Sequence, residues 1–368
     1  MPEPWYQVDD DRRIPSPALL IYRERVEENV RRTIAIAGGT ERLRTHVKTH
    51  KMAEMVALQL AAGIDKFKCA TIAEAEMLAR AGARDVLLAY PIVGPNVERL
   101  AKLAGTFPDT RFATLADDAE ALRELSAEFA RQPRPMEILL DIDNGMHRSG
   151  VAPAAAAQLY RLLADLPGVR PGGLHVYDGH IRDADPVERT AHAQREFAAV
   201  DELRYKLAAA GLPVPRVVAG GTITFPIHAR RSDLECSPGT CVFWDAGYGT
   251  KFPDIDFLHA ALLLTRVVSK PTADRLCLDL GYKAVSPDNP QPRVILLDVP
   301  DAVPVVHSEE HLTVETGRAG EFKVGDCLYG VPYHVCPTVA LHREALVVEG
   351  GRVVNRWPVV ARDRALTI

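Results

Sequence analysis

From Pro17 to about Tyr248, short apolar runs alternate with segments whose apolar positions recur every three or four residues. The runs are ALLIY (18–22), LRTHV (43–47), DKFKCA (65–70), DVLLAY (85–90), RFATL (111–115), EILLDID (137–143), GGLHVYDG (172–179) and PRVVAGG (215–221). Between them lie VEENVRRTIAIAG, MAEMVALQLAAG, IAEAEMLARAGA and DDAEALRELSAEFA, which carry helical spacing and often stop at glycine. Eight strand–helix units predict an α/β chain folded as a (β/α)8 TIM barrel, because a doubly wound sheet would use about five or six strands. After about Phe257 the grammar changes. ALLLTRVVSK, RLCLDLG, RVILLDV, CLYGV, EALVVEGG and RVVNRWPVVA are β-rich and separated by Gly, Pro, Asp and Asn. The expected division is therefore a barrel over 17–256 and a C-terminal β domain over 257–368, with residues 1–16 extending or packing on that domain. No fixed-period repeat, low-complexity segment or long linker interrupts it.

Composition narrows the function. The 368 residues carry 44 Lys+Arg against 49 Asp+Glu, a formal charge of −5, which argues against a nucleic-acid binder. With 47% apolar and 25% charged residues the chain has the makeup of an ordinary globular protein and can bury a large core. It has no long uncharged apolar run, and MPEPWYQVDDDRR lacks the features of a secretory signal, so a cytoplasmic protein without a membrane span is expected. Six scattered cysteines without a CxxC pair read as reduced thiols rather than a disulfide framework.

In a barrel, chemistry gathers where strands end. The second run ends in RTHVKTHK, with Lys48 between His46 and His50. Lys48 is either a surface lysine at a strand end or a desolvated amine of the kind a Schiff base needs. DIDNGMHRSG places Asp141, Asp143, His147 and Arg148 at another strand end, as a polar turn or with Arg148 addressing an anionic oxygen. HVYDGH places Tyr177 against a possible aromatic ring, with Asp178 or His180 in support. AGGTIT and SPGT bring Gly221, Thr222, Gly239 and Thr240 into glycine-containing loops near the last strands, where barrels hold phosphate. In the β domain, HSEEH (307–311) carries Glu309, Glu310 and His311 in what is ordinarily a solvated loop. In VPYHVCPT, His334 and Cys336 lie two apart, so an extended strand would point both to one face as half of a zinc-like site, or as a buried pair with no ligand.

Together, PxLLIY, RxHVKTHK, IDxGMxRxG, YDGH, GGT, PGT, EEH and PxHxCPT resemble the fold-type III pyridoxal-phosphate enzymes, and within them the D-threonine aldolase and D-serine dehydratase group. The resemblance covers nearly the whole chain, and the order of the motifs is more specific than any one of them. It implies an alanine racemase-like barrel with a β domain, working as a homodimer on a small D-3-hydroxy amino acid. It makes Lys48 the Schiff-base lysine, with Lys51 as the alternative, and sets Arg148 toward the cofactor's phenolic oxygen and Tyr177 against the pyridine. It gives Gly221, Thr222, Gly239 and Thr240 to the phosphate, and His334 and Cys336 to a divalent metal (Mn, Mg or Zn). His50, His311 and His180 are the candidates for the base that takes the β-hydroxyl proton.

Three reactions follow from those parts. Deprotonating the β-hydroxyl while the metal polarises it breaks Cα–Cβ and yields glycine and an aldehyde. If Lys48 removes the α-proton instead, water and then ammonia are lost. Racemisation needs a second acid/base and no metal. Tyr282 stands in a loosely similar context to the racemase tyrosine, but the His-x-Cys pair argues against that outcome. The motif pattern resembles the aldolase branch more than the dehydratase branch, which is the alternative. Some D-threonine aldolases have aspartate where Cys336 stands and the dehydratases have cysteine, so the ligand pair leaves both open. A metal-free cofactor-binding regulatory protein of this kind is a single barrel, which the extra β domain disfavours.

Overall fold

The computed structural model describes residues 4–368. Two compact units divide the chain, and they interleave along it. The sheet unit comprises Met1–Arg32, Thr49–Met52 and Thr240–Arg362, and the barrel unit comprises Thr33–Lys48, Ala53–Gly239 and Asp363–Ile368.

The strands, in chain order, begin with β1 (Ala18–Tyr22), β2 (Arg44–His46), β3 (Lys66–Cys69), β4 (Asp85–Pro91), β5 (Arg111–Ala116) and β6 (Met136–Ile142). β7 (Val169–Val176), β8 (Val217–Ala219) and β9 (Glu235–Cys236) follow. Strands β2 to β9 run parallel in sequence order. A parallel bridge from Leu43 to Cys236, with the Cys236 amide donating to Arg42 O at 2.7 Å, brings the last strand back to the first. The result is the expected (β/α)8 barrel, nearly closed, with helices between its strands. Leu87, Ala113, Leu115, Leu139 and Val218 form a buried apolar cluster from alternate strand positions. Helices begin where the sequence supplies caps: Thr71 accepts from the Glu74 amide, Asp118 from Glu120 and Ala121, and Asp185 from Val187 and Glu188.

One expectation is corrected. ALLIY is not the first barrel strand, and the eighth is not PRVVAGG. β1 lies in the other sheet, antiparallel to β10 (Ala261–Ser269) and parallel to β16 (Glu344–Glu349). Its residues from Leu19 to Tyr22 are all buried, so its continuous apolar run looks the same as that of a parallel barrel strand. The eighth barrel strand is β9, two residues long and without an apolar run to announce it.

The sheet unit continues with β11 (Arg275–Leu278), β12 (Val294–Leu296), β13 (Val303–His307), β14 (Leu312–Glu315), β15 (Cys327–Pro332) and β17 (Arg352–Pro358). Its main path is β13-β14-β11-β10-β1-β16-β17, and β15 pairs with both β10 and β12. Val8, Leu20, Tyr22, Leu262, Leu264, Tyr329 and Val348 are among its packed core. No described helix is long and apolar enough to cross a membrane.

Candidate active site

In the barrel unit, three basic side chains surround one tyrosine ring. Lys48 occupies the 3-10 turn Val47–Thr49 directly after β2, and its amine lies 6.0 Å from the Tyr177 ring centroid. Arg148, exposed in the loop after β6, places its guanidinium carbon 4.6 Å from that centroid. The third is Lys68 on β3, with its amine at 5.9 Å. Tyr177 follows β7 immediately, so the group stands at the carboxyl ends of the strands. The turn carrying Arg148 is organised by Asp143, which accepts from the amides of Gly145 and His147 and binds His147 Nδ1 at 2.8 Å. Asp143 and His147 therefore shape the loop.

Behind the ring, β6 and β7 pair Asp141 with His175 in register, and His175 Nδ1 meets Asp141 Oδ1 at 2.7 Å. Burial disfavours the charged imidazole of His175, and Lys68 and Arg148 add to this, so its pKa is lowered despite the carboxylate. Its Nε2 is buried without a hydrogen-bond partner. Burial opposes ionisation of Asp141 as well, but hydrogen bonds from His175 and Ser149, with the charge of Arg148, lower its pKa overall. Lys68 is the residue that reading the sequence missed. It is 3% exposed, and burial first, then the charge of Lys48, lowers its pKa to about 7. In KFKC, Lys66 and Lys68 alternate with apolar residues and read as a solvent face, yet in a closed barrel one face of each strand looks inward.

The glycine-containing loop after β8 is held from below. Asp178 accepts from Thr224 Oγ1 at 2.7 Å and meets His228 Nε2 at 2.7 Å, and Thr224 Oγ1 accepts from the Gly221 amide at 3.1 Å. Gly220 has φ +76°, and a Cβ there would fall 2.6 Å from His228 Cδ2. A Cβ on Gly221 would lie 3.1 Å from Tyr177 Cε2, so its absence lets backbone lie against the ring. The Gly239 amide donates to the buried Thr222 hydroxyl at 3.1 Å, which joins the two glycine loops.

In the sheet unit, VPYHVCPT is not one extended strand. β15 stops at Pro332, His334 is the N-cap of the helix Val335–Leu341, and Cys336 lies in its first turn. Pro337 fits there because first-turn amides have no helical partner to lose. The helix turn, not strand alternation, brings the pair together. His334 Nδ1 bonds Asp288 Oδ2 at 2.5 Å, as carboxylates orient metal-binding imidazoles. Burial works against its protonation, but hydrogen bonds to Cys336 and Asp288 outweigh it and raise its pKa to about 9. Cys336 Sγ lies 3.3 Å from Thr49 Oγ1 and 3.5 Å from the buried Thr240 Oγ1. Nearby, Asp245 accepts from the Val335 amide, and burial pushes its carboxyl up to about 6. His50 is buried and its Nδ1 accepts from the Met52 amide, while its Nε2 has no partner. Burial, reinforced by Lys51, lowers its pKa to about 3, so it is neutral. His311 is exposed in the turn between β13 and β14, where Glu309 and Glu310 pair with Lys283. His180, in the barrel unit, stacks edge-on to His192.

These features fit pyridoxal 5'-phosphate. An amine stands beside an aromatic face, glycine backbone lies against the same ring with the buried Thr222 next in sequence, and the buried Lys68 has no carboxylate within 4.0 Å. For a metal, an imidazole oriented by a carboxylate and a thiol form a two-ligand set, although among the described residues no three His, Cys, Asp or Glu side chains group to hold an ion.

Residues 21–246 match the family described as alanine racemase, N-terminal domain, and residues 260–348 match the putative serine dehydratase domain. The chain belongs to the alanine racemase-like, fold-type III pyridoxal-phosphate family. It is 31% identical to a 3-hydroxy-D-aspartate aldolase from Paracoccus denitrificans (strain Pd 1222), over 96% of this chain and 94% of that one. A crystal structure of D-threonine aldolase from Filomicrobium marinum superposes with a TM-score of 0.88 at 29% identity, covering 95% of this chain and 96% of the other. The D-threo-3-hydroxyaspartate dehydratase from Delftia sp. HT23 gives 0.83 at 26%, covering 95% and 98%. The enzymes it matches over its length thus include both carbon–carbon and carbon–oxygen lyases.

Proposed function

We propose that the protein is a pyridoxal-phosphate- and divalent-metal-dependent aldolase of the D-threonine aldolase type, which cleaves D-3-hydroxy amino acids to glycine and an aldehyde and works as a homodimer. The observation that supports this best is the gathering of Lys48 and Arg148 about the Tyr177 ring, in a barrel flanked by glycine loops. When bound, the cofactor supplies an electron sink for a carbanion, and the metal ion (Mn, Mg or Zn) supplies a Lewis acid for the β-hydroxyl oxygen. Lys48 would hold the cofactor through its amine, Arg148 would donate to the phenolic oxygen, and Tyr177 would back the pyridine. Gly221, Thr222, Gly239 and Thr240 would line the phosphate, with the Thr222 and Thr240 hydroxyls donating to it and the two glycines letting it approach the backbone, and His334 and Cys336 would hold the metal.

The β-hydroxyl proton then needs an acceptor. His50 has a neutral imidazole with Nε2 unengaged, whereas His311 is exposed in a turn, so His50 is the better supported of the two. A dehydratase is the second reading, favoured by the cysteine at position 336 and by the likeness to the Delftia dehydratase. In that reaction Lys48 would take the α-proton. Product analysis of metal-replete enzyme with D-threonine and, separately, D-serine separates the two. Glycine and acetaldehyde from D-threonine are expected. Ammonia with 2-oxobutyrate or pyruvate would establish the dehydratase instead.

A further inference from the structure

Lys68 has an unusual position for a lysine. Its residue is 3% exposed, in a strand whose register sets it opposite His46, two positions before Lys48. The groups that face it are Lys48 after β2, Asp141 on β6, Arg148 after β6, His175 on β7, and Tyr177 and Asp178 after β7. His175 is engaged by Asp141, and Asp178 by Thr224 and His228. Among the described residues no carboxylate comes within 4.0 Å of the Lys68 amine, which lies 5.9 Å from the Tyr177 ring centroid. A buried ammonium without a counter-ion is strongly disfavoured, so such a side chain either stays neutral or awaits an anion.

Which anion it awaits follows from the covalent structure of the cofactor. Pyridoxal phosphate carries its phenolic oxygen ortho to the aldehyde, and that oxygen is a phenolate in neutral water. The phosphate-bearing arm flanks the aldehyde on the other side, so if Lys48 takes the aldehyde and the glycine loops after β8 and β9 take the phosphate, the phenolic oxygen is directed away from β9, toward β3 on the other side of β2. We propose that Lys68 is a cofactor-contact residue, whose amine takes a proton from solvent when the cofactor binds and, with Arg148, holds the phenolic oxygen as its anion. This rests on Lys48 and Tyr177 forming the cofactor site. The neutral state of Lys68 before binding agrees with its pKa of about 7, set by burial and then by Lys48. The step is a proton transfer alone: Nζ gains one N–H bond, a buffer acid in solution loses its proton to it and becomes its conjugate base, and the ammonium pairs with the phenolate.

The test is proton uptake on cofactor binding, measured by calorimetric titration of apoprotein with pyridoxal 5'-phosphate in two buffers of different ionisation enthalpy. At about pH 8 the wild type is expected to take up about one proton more per site than Lys68→Met, and the excess is expected to vanish at about pH 6, where Lys68 is already charged. Lys68→Arg, charged throughout, is expected to bind without the excess uptake and more tightly than Lys68→Met. The 3-O-methyl ether of the cofactor, which cannot present a phenolate, is expected to bind the wild type without the excess. Equal uptake in wild type and Lys68→Met overturns the proposal, as does uptake that persists with the ether. A wild-type uptake that does not change between about pH 6 and 8 overturns it without any variant. Borohydride reduction and peptide mapping run beside the titration. A label on Lys48 with no excess uptake removes only the role of Lys68, whereas no label on Lys48 removes the site reading and this proposal together.

Discussion

At the scale of single residues, the site is a set of side chains whose properties come from their neighbours. Lys48 is partly buried in a turn, and its amine, 6.0 Å from the Tyr177 ring centroid, makes no hydrogen bond or ion pair among the described residues. Lys48→Ala is therefore expected to abolish covalent cofactor retention and turnover together while the unfolding midpoint moves little. Visible absorbance after dialysis, with a melting curve, checks this; a variant that keeps both absorbance and turnover would remove Lys48 from its assigned place. Tyr177 offers its ring and not its hydroxyl, since two lysines and an arginine approach the ring. Tyr177→Phe is expected to bind the cofactor nearly as the wild type does, and Tyr177→Leu to bind it about fivefold more weakly, a loss of about 1 kcal/mol of aromatic contact. Equilibrium binding to the apoproteins decides it, and equal affinity for the leucine variant would rule out the ring as a packing face.

At the scale of elements, the barrel is closed at its shortest strand by buried charge. Arg44 on β2, with no exposed side chain, pairs with Asp85 on β4 at 2.6 Å and Glu235 on β9 at 2.7 Å. Burial opposes ionisation of Asp85, but Arg44 and Arg111 outweigh it and bring its pKa down from 3.8 to about 2. A folded-state pKa below the unfolded one gives stability that is present above about pH 4 and is lost as the pH falls toward 2. A lowering from 3.8 to about 2 corresponds to about 2.5 kcal/mol in full, of which about 2 kcal/mol is lost by pH 2, where the folded-state carboxyl is half protonated. Denaturant unfolding of the wild type is thus expected to lose about 2 kcal/mol more than Asp85→Asn between about pH 5 and 2. Equal losses would place the acid-sensitive group elsewhere. The same strands mark where sequence reading stops. Periodicity was enough for β2 to β8, whose apolar runs are separated by helical segments. It could not exclude β1, buried on both faces like a barrel strand, nor find β9, whose Glu235 is there to meet Arg44. Lys48, Arg148 and Tyr177 were legible because motifs end strands. Lys68 was not, since only closure of the barrel turns its side of β3 inward, and the His334–Cys336 pair was legible in spacing but not in geometry, because a helix turn had replaced the strand.

At the scale of the whole molecule, the chain passes repeatedly between its two units, and the segments it contributes to each carry different chemistry. Lys48, Lys68, Arg148, Tyr177, Gly221, Thr222 and Gly239 belong to the barrel unit, whereas His50, Thr240, His334 and Cys336 belong to the sheet unit. The residues assigned to the cofactor thus lie in the barrel unit apart from Thr240, and both residues assigned to the metal lie in the sheet unit. Loss of one group therefore need not release the other. A chelator, or Cys336→Ala, is expected to remove the metal and turnover while the cofactor's absorbance and its attachment to Lys48 persist. Loss of a thiolate from a set of only two protein ligands is expected to weaken metal binding by at least the 10- to 100-fold typical of lost outer-shell partners. In the other direction, Lys48→Ala is expected to lose the cofactor yet keep its metal content. Elemental analysis and absorbance on the same dialysed samples read both. Unchanged metal content in Cys336→Ala would remove that residue from the ligand set, and cofactor loss on chelation alone would mean that the metal holds the cofactor site together as well as acting on the substrate.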